Sequence, residues 1–304
     1  MSHRSLQYGC ARNVLAITHM AFKFNFDVPG DSLQEDERTD EVEQPIKAIK
    51  INDKHYEIAK ECSPVTIKFS DGTQLLTVRP SDAEKKCRNS TTICEAIRSH
   101  SDLIAGKYEG GLKIWEGSVD LCQYLITNKV QFHSKSVLEL GCGAGLPGLY
   151  ALKKGASCVH FQDFNFDVLE TMTTPNTILN TSIEHHPSLA NKCKFYAGDW
   201  LSFLNHLTKR RKEETKYDII LTSETIYNPQ YHKHLYNLMR SVIKPDGVAW
   251  IRYLAAKAYY FGLGGGIQQF TQMVRQDGFF DSRTVWSTDE GLERNIIQFR
   301  PKLI

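Results

Sequence analysis

The 304-residue chain lacks most of the marks that would assign it quickly. It has no Cys-x-x-Cys pair, and none of its eight cysteines stands with histidine at zinc-finger spacing. The thiols at 10, 62, 87, 94, 122, 142, 158 and 193 are spread out, as expected of reduced intracellular cysteines that partly serve as core fillers. No run of 18 apolar residues occurs, so no transmembrane helix is expected, and no membrane partner. Charge of one sign is missing too: 37 Lys and Arg against 35 Asp and Glu give +2, which argues against a nucleic-acid-coating protein and an acidic tail alike. There is no internal repeat and no low-complexity tract.

One local absence bears on the start of the chain. Residues 1–26 hold Arg4, Arg12 and Lys23 but no acid. This pattern fits a mitochondrial transit peptide. The favoured alternative is translation beginning at Met20, with residues 1–19 an upstream extension. Residues 30–45 are acid-rich and aperiodic and read as a disordered linker, so 1–45 is taken as an N-terminal extension. In 46–80, Ile46, Ile49, Ile51, Tyr56, Val65, Ile67 and Phe69 partly alternate between Asn52-Asp53 and Asp71-Gly72, predicting two or three short strands. Residues 82–108 carry a weak helical period. Residues 46–100 are expected to form a small β/α segment packing on a core domain, 101–304.

The core domain alternates strands and helices. Strands are predicted at Ser136–Leu140, Cys158–Gln162, Lys194–Tyr196, Tyr217–Thr222, Val248–Tyr253, Thr284–Ser287 and Ile296–Arg300. Helices are predicted at Leu146–Lys153, Val168–Asn180, Leu201–Arg211, Tyr231–Val242 and Ile267–Gln276, with a breaking turn at Lys244-Pro245-Asp246-Gly247. The fold class is therefore α/β, a mostly parallel Rossmann-like sheet covered on both faces.

The sharpest local pattern is the first strand and its loop, Glu139-Leu-Gly141-Cys-Gly143-Ala-Gly145. Glycines there let the backbone turn sharply and approach a ligand closely. Asp163, at the end of the next strand, is placed to accept ribose hydroxyls. A carboxylate at Glu139 would repel a pyrophosphate and favour a ligand with a cationic end, such as S-adenosylmethionine. These residues resemble the first motif and ribose acid of seven-β-strand methyltransferases, and Gly198-Asp199-Trp200 resembles their adenine motif. That resemblance implies strand order 3-2-1-4-5-7-6 with the last strand antiparallel.

Further residues narrow the resemblance. Tyr108-Glu-Gly-Gly-Leu-Lys-Ile-Trp115-Glu116-Gly-Ser, Gln162-Asp163-Phe164, Pro175-Asn176, Ser223-Glu224-Thr-Ile-Tyr227 and Tyr260-Phe-Gly262 through Gly266 are together similar to the protein-histidine methyltransferase family, of the family-16 protein methyltransferases. Met20 to Phe26 also resembles that family's start. The resemblance implies S-adenosyl-L-methionine as cofactor. Ile114, Trp115, Glu116, Gly117 and Ser118 would wall its methionine part, with Trp115 near the sulfonium. A cation on an indole face gains on the order of 1–2 kcal/mol when desolvated. Gly141 and Gly143 would line methionine and ribose. Gln162, Asp163 and Phe164 would take ribose and adenine, Gly198, Asp199 and Trp200 the adenine, and Ser223 would close the site. Ser223 reads equally as a helix cap.

The chemistry narrows the catalytic residues. A lysine of pKa near ~10.4 must lose a proton before it can accept a methyl group, whereas a histidine near ~6.5 is mostly neutral at pH 7. A histidine enzyme needs only an acceptor for the other ring N–H. Glu224, after the fourth strand, is the expected acceptor and Tyr227 a pocket wall; Asn165 is a weaker candidate. Asn228-Pro229-Gln230-Tyr231 loosely resembles the N-P-P-Y loop of nucleic-acid amino-methyltransferases but stands too late after the strand. His232 and His234 make a poor metal pair on a helix, and no metal is expected. Lys209 to Lys212 is read as a solvated helix end, or as a nuclear-import or ribosomal-RNA contact. The resemblance implies tele-methylation of a large-subunit ribosomal protein; a monomer in cytoplasm and nucleus, with the nucleolus as a further site, is expected ahead of a mitochondrial location. The alternatives are a lysine methyltransferase of the same superfamily and a non-catalytic cofactor-binding adaptor in ribosome assembly or associated with chaperones.

Overall fold

The structure, a computed structural model, describes residues 45–302 except 88–89, 100, 105, 182–185, 210–215, 255–265 and 289–293. Residues 1–44 of the expected 1–45 extension, the basic run beyond Lys209, and Tyr260 to Gly265 lie outside the described residues.

Ten strands are described: β1 Lys47–Ile49, β2 Val65–Lys68, β3 Gln74–Thr77, β4 Ser136–Leu140, β5 Cys158–Asp163, β6 Cys193–Ala197, β7 Tyr217–Ser223, β8 Ile243–Leu254, β9 Phe280–Thr288 and β10 Arg294–Pro301. The helices are α1 Asp53–Glu61, α2 Pro80–Lys86, α3 Thr91–Arg98, α4 Glu116–Thr127, α5 Leu146–Lys153, α6 Phe166–Val168, α7 Thr174–Leu179, α8 His186–Lys192, α9 Trp200–Lys209, α10 His232–Val242 and α11 Gly266–Asp277. A π turn, Leu169–Thr173, joins α6 to α7.

The large sheet runs β1-β6-β5-β4-β7-β8-β10-β9. Strands β6, β5, β4, β7 and β8 are parallel, and β10 is antiparallel to both its neighbours. Seven of the strands stand in the expected order, third-second-first-fourth-fifth-seventh-sixth. The sheet has an eighth strand that was not expected: β1 adds antiparallel to the edge of β6.

Alternation along the strands builds a core on each face. Val137, Val159, Phe161, Ile219, Leu221, Val248, Trp250 and Ile296 point to the face covered by α1, α4, α5 and α7. Leu138, Leu140, Ile220, Ala249, Ile251, Ile297 and Phe299 point to the other, under α9, α10 and α11.

Two local expectations are corrected. Asn52-Asp53 is the entry to α1 rather than a hairpin turn, so the 46–80 segment reads strand, helix, hairpin. Lys244 to Gly247 does not end an element. Tyr217 pairs with Ile243 but Ile219 with Val248, so these residues bulge out of a strand that continues.

The first core face ties the 46–100 segment to the sheet through polar bonds as well. Asn176 accepts the Val78 N–H at 2.6 Å and donates to the Ala144 carbonyl at 2.9 Å. Asn180 pairs with both backbone groups of Leu76, at 3.0 and 2.7 Å. On α1, His55 Nδ1 accepts the Asn52 N–H at 3.1 Å, which leaves Nε2–H to donate to Glu170 at 3.0 Å. Lys54 reaches the other oxygen of Glu170 at 2.9 Å. The hydrogen bond from His55, with help from Lys54, holds the Glu170 carboxyl down to about 2 against partial burial.

A group with its folded pKa lowered stabilises above its unfolded pKa, and that contribution is lost as pH falls through the folded value. Urea unfolding should therefore show stability falling between about pH 4.5 and about pH 2. Glu170→Gln should be less stable than the parent at neutral pH and should lose part of that acid slope.

Candidate active site

The parallel strands β4, β5, β6 and β7 bring their C-terminal ends to one edge, where open α/β sheets present their sites. Gly141, Gly143 and Gly145 have φ of +59°, +50° and +76°, a left-handed path that side-chain-bearing residues avoid. The loop is pinned from both sides. Gly143 N–H donates to Asp163 Oδ2 at 2.8 Å, and the Thr173 hydroxyl, from the π turn, donates to the Gly143 carbonyl at 2.6 Å.

A cleft of about 910 Å³, partly open to solvent, lies over this edge. Ile114, Trp115, Ser118, Gly141, Gly143, Asp163, Phe164, Gly198, Asp199, Trp200, Ser223, Glu224 and Tyr227 all line it, so most of the residues singled out from sequence meet in one place. Glu109, Gly111, Lys113, Cys142, Ala144, Thr225, Tyr231 and His234 complete the wall and were not anticipated as site residues.

Four expected wall residues stand elsewhere. Glu139 is 2% exposed and points at the start of α5, accepting the Gly148 N–H at 2.8 Å. It does not face the cleft, and burial pushes its pKa well above the ordinary carboxylate value. Gln162 is buried as a brace: its amide donates to the Gly198 carbonyl at 2.6 Å and accepts the Trp200 indole N–H at 2.9 Å. Glu116 is exposed on the first turn of α4, 3.8 Å from Arg294. Gly117 packs behind the wall, against Glu224 and Arg252.

Several lining side chains also hold the scaffold. Asp163 Oδ1 accepts the Asn165 N–H at 3.1 Å. Asp199 accepts the Ser202 N–H and hydroxyl, each at 2.7 Å, capping α9. Trp115 donates its indole N–H to the Gly110 carbonyl at 2.9 Å, and the Lys113 ammonium sits 4.9 Å from its ring centroid. Asn165 is committed to the 107–109 backbone through bonds of 2.7 and 3.0 Å, which removes it as an acceptor candidate.

Glu224 is the most constrained residue of the site. It is 4% exposed and has φ +58°, which for a residue with a side chain costs about 1–2 kcal/mol. Its N–H donates to the Arg252 carbonyl at 3.0 Å, and its Oε1 takes a hydrogen bond from Arg252 Nη1. Arg252 is fully buried at the end of β8, and its Nη2 reaches Asp120 Oδ2 on α4 at 2.6 Å. Sequence reasoning missed this arginine, although a charge inside the apolar run Val248 to Tyr253 was visible.

His232 and His234 diverge. His232 is buried, with Nε2 3.0 Å from the Ile226 carbonyl, while His234 faces the cleft. Asn228 accepts the Gln230 N–H at 3.1 Å and forms a local cap. Among the described residues, no group of three His, Cys, Asp or Glu side chains could hold a metal, no helix is long and apolar enough to cross a membrane, and the seven cysteines are free thiols.

A glycine-turned strand end, an acid on the next strand and a cleft along the sheet edge are the arrangement of a nucleotide-binding α/β fold. The family model described as "Lysine methyltransferase" matches residues 103–259, and the chain belongs to that family, the family-16 methyltransferases. Its curated relatives include proteins named histidine protein methyltransferase 1 homolog. The one from Bos taurus is 42% identical over 223 residues, 68% of this chain and 59% of its own length. The one from Rattus norvegicus is 37% identical over 269 residues, 81% of this chain and 73% of its own length. That from Dictyostelium discoideum is 40% identical over 211 residues, 69% and 63% of the two chains. The chain thus spans about three fifths of the bovine relative.

Gly117 tests the packing behind Glu224. Gly→Ala within a helix ordinarily stabilises, by about 1 kcal/mol at most. Here a Cβ would collide with the Glu224 carboxylate and stand 2.9 Å from Arg252 Nη1. Gly117→Ala should lower stability by roughly 1–3 kcal/mol in urea unfolding.

Proposed function

We propose that the chain is an S-adenosylmethionine-dependent protein-histidine N-methyltransferase. The observation that carries the reading is that one cleft joins the glycine loop, Asp163, Phe164 and Trp200 to Glu224, Tyr227, Tyr231 and His234. The names of relatives about 40% identical support it.

The residues present fit the cofactor. Wall positions 111, 141 and 143 have no side chain, so backbone can lie against a ligand. Asp163 offers carboxylate oxygens to a ribose diol, and Phe164 and Trp200 offer rings to a purine. Three acids, Glu109, Asp163 and Asp199, suit a ligand with a cationic end. When bound, S-adenosylmethionine supplies a methyl group on a sulfonium.

The remaining work falls to this chain's own side chains. Tyr227, Tyr231 and Trp115 narrow the cleft, orienting an entering ring and excluding water. Glu224 accepts the N–H of the nitrogen that is not methylated, which selects the tautomer whose lone pair faces the methyl group. A neutral imidazole needs nothing more. The tele nitrogen is the ring's far tip and enters a cleft first, whereas the other nitrogen lies against the substrate backbone. The target is a histidine of a large-subunit ribosomal protein, as the family resemblance implies, modified in the cytoplasm or nucleus by a monomer. Lys209 and the basic residues after it would meet ribosomal RNA.

A second reading is a lysine methyltransferase, favoured by the family description itself. The deciding experiment gives labelled S-adenosylmethionine and purified enzyme to ribosomes and extract from cells lacking it, followed by acid hydrolysis. Label in 3-methylhistidine on one large-subunit protein is expected, with Asp163→Ala losing at least ~90% of it, as about 1.4 kcal/mol of lost binding would give. Label in methyl-lysine would move the chain to the second reading. Cofactor binding without transfer would leave an adaptor.

A further inference from the structure

Arg252 does not line the cleft, yet it is fully buried directly behind the residue that does. Its two terminal nitrogens are split between Glu224 and Asp120. Asp120 is shared in turn with Arg294 Nη1 at 3.2 Å. The less exposed members of the cluster are two carboxylates, Glu224 and Asp120, and two guanidiniums, Arg252 and Arg294, whose charges balance; the third carboxylate, Glu116, stands in solvent 3.8 Å from Arg294.

Such an arrangement has no obvious value for stability. Desolvating a guanidinium costs several kcal/mol, and an apolar residue in the same place commonly serves a core as well. Arg252 also lies on an apolar strand, beside Ile251, where such a residue would fit. What the arginine changes is the electrostatics at the tip of β7. A cation brought up to Glu224 also meets the Arg252 guanidinium, and in a low-dielectric site the two interactions largely cancel. A neutral N–H donor asks only for a carboxylate lone pair, and a carboxylate has about four such sites. The other acids of the cleft lie away from Glu224: Asp163 and Asp199 at the ends of β5 and β6, on the far side of β4, and Glu109 beside them, its N–H bonded to Asn165 just past β5.

On the histidine reading given above, we propose that Arg252 is a positioning residue that makes the site selective: it holds Glu224 with its charge already matched, so the cleft takes a neutral imidazole and turns away a lysine ammonium. Asp120 tunes this from behind, because it draws part of the guanidinium's charge away from Glu224.

The test uses the full chain saturated with S-adenosylhomocysteine and two side-chain probes, 4-methylimidazole and n-butylammonium, titrated by NMR. The parent should bind the imidazole at least ~10-fold tighter than the ammonium, about 1.4 kcal/mol of discrimination. Arg252→Gln should shrink that ratio ~10-fold or more, because Glu224 then carries an unmatched charge. Asp120→Asn should raise it, because Arg252 loses a partner. Asp120 is 21% exposed in its side chain and Glu224 still pairs with Arg252, so this variant keeps the fold even where Arg252→Gln does not. Arg252→Lys should keep most of the selectivity. A purely structural role would lower both affinities together and leave the ratio unmoved. An unchanged ratio in Asp120→Asn, in protein that still binds S-adenosylhomocysteine, overturns the proposal. If the parent nevertheless forms methylhistidine, only the role of Arg252 falls. Methyl-lysine as the parent's product overturns the histidine reading whatever the ratio.

Discussion

The contact between Glu224 and the buried guanidinium of Arg252 sets the terms for the rest of the site. It anchors a residue whose backbone stands in a region that side chains avoid, at the turn where β7 delivers its tip to the cleft. Its geometry explains neighbouring choices. Residue 117 has no side chain because a Cβ would strike the pair, and Asp120, one turn along α4, supplies the second carboxylate that a fully buried arginine requires. Removing one member would strand the other's charge in the interior.

The opposite side of the cleft rests on hydrogen bonds with no ion pair among them. The π turn sends Thr173 to Gly143, and α7 sends Asn176 to Ala144, so two carbonyls of the glycine loop are held from below. Asn176 also receives the N–H of Val78, just past β3. The small hairpin of the 46–100 segment and the glycine loop therefore share one amide side chain. Gln162 plays the same part on the other side, spanning Gly198 and Trp200. Thr173, Asn176 and Gln162 do not line the cleft but hold its shape, together with lining side chains such as Asp163 and Asp199 that do both.

Much of the fold was legible because a parallel sheet buried on both faces writes its strands as short apolar runs. Ser136–Leu140 and the helix Leu146–Lys153 appear with the boundaries expected of them. The same reading failed where the pattern was thin. In α1 only His55, Ile58 and Ala59 are buried, too few to show a helical period, and β1 is a three-residue strand whose partner lies well over a hundred residues away. The site was legible by position more than by role. Glycines 141 and 143, Asp163 and Glu224 reach the cleft because strand ends converge there. Glu139 and Gln162 are equally close in sequence but turn inward. Arg252 needed the fold: nothing local says that the last polar residue of an apolar strand meets a carboxylate 28 positions earlier and another on α4.

The account's central claim is that the nucleophile reaches this cleft already neutral and that no strong base waits for it. Its most direct test is the pH dependence of single-turnover methyl transfer to an acceptor from ribosomal extract. The account predicts a rate that rises with one ionisation near pH ~6.5 and then stays level to about pH 9, as for an imidazole. A rate still climbing about tenfold per pH unit above pH ~8 would mark an amine that must be deprotonated first, and would contradict it.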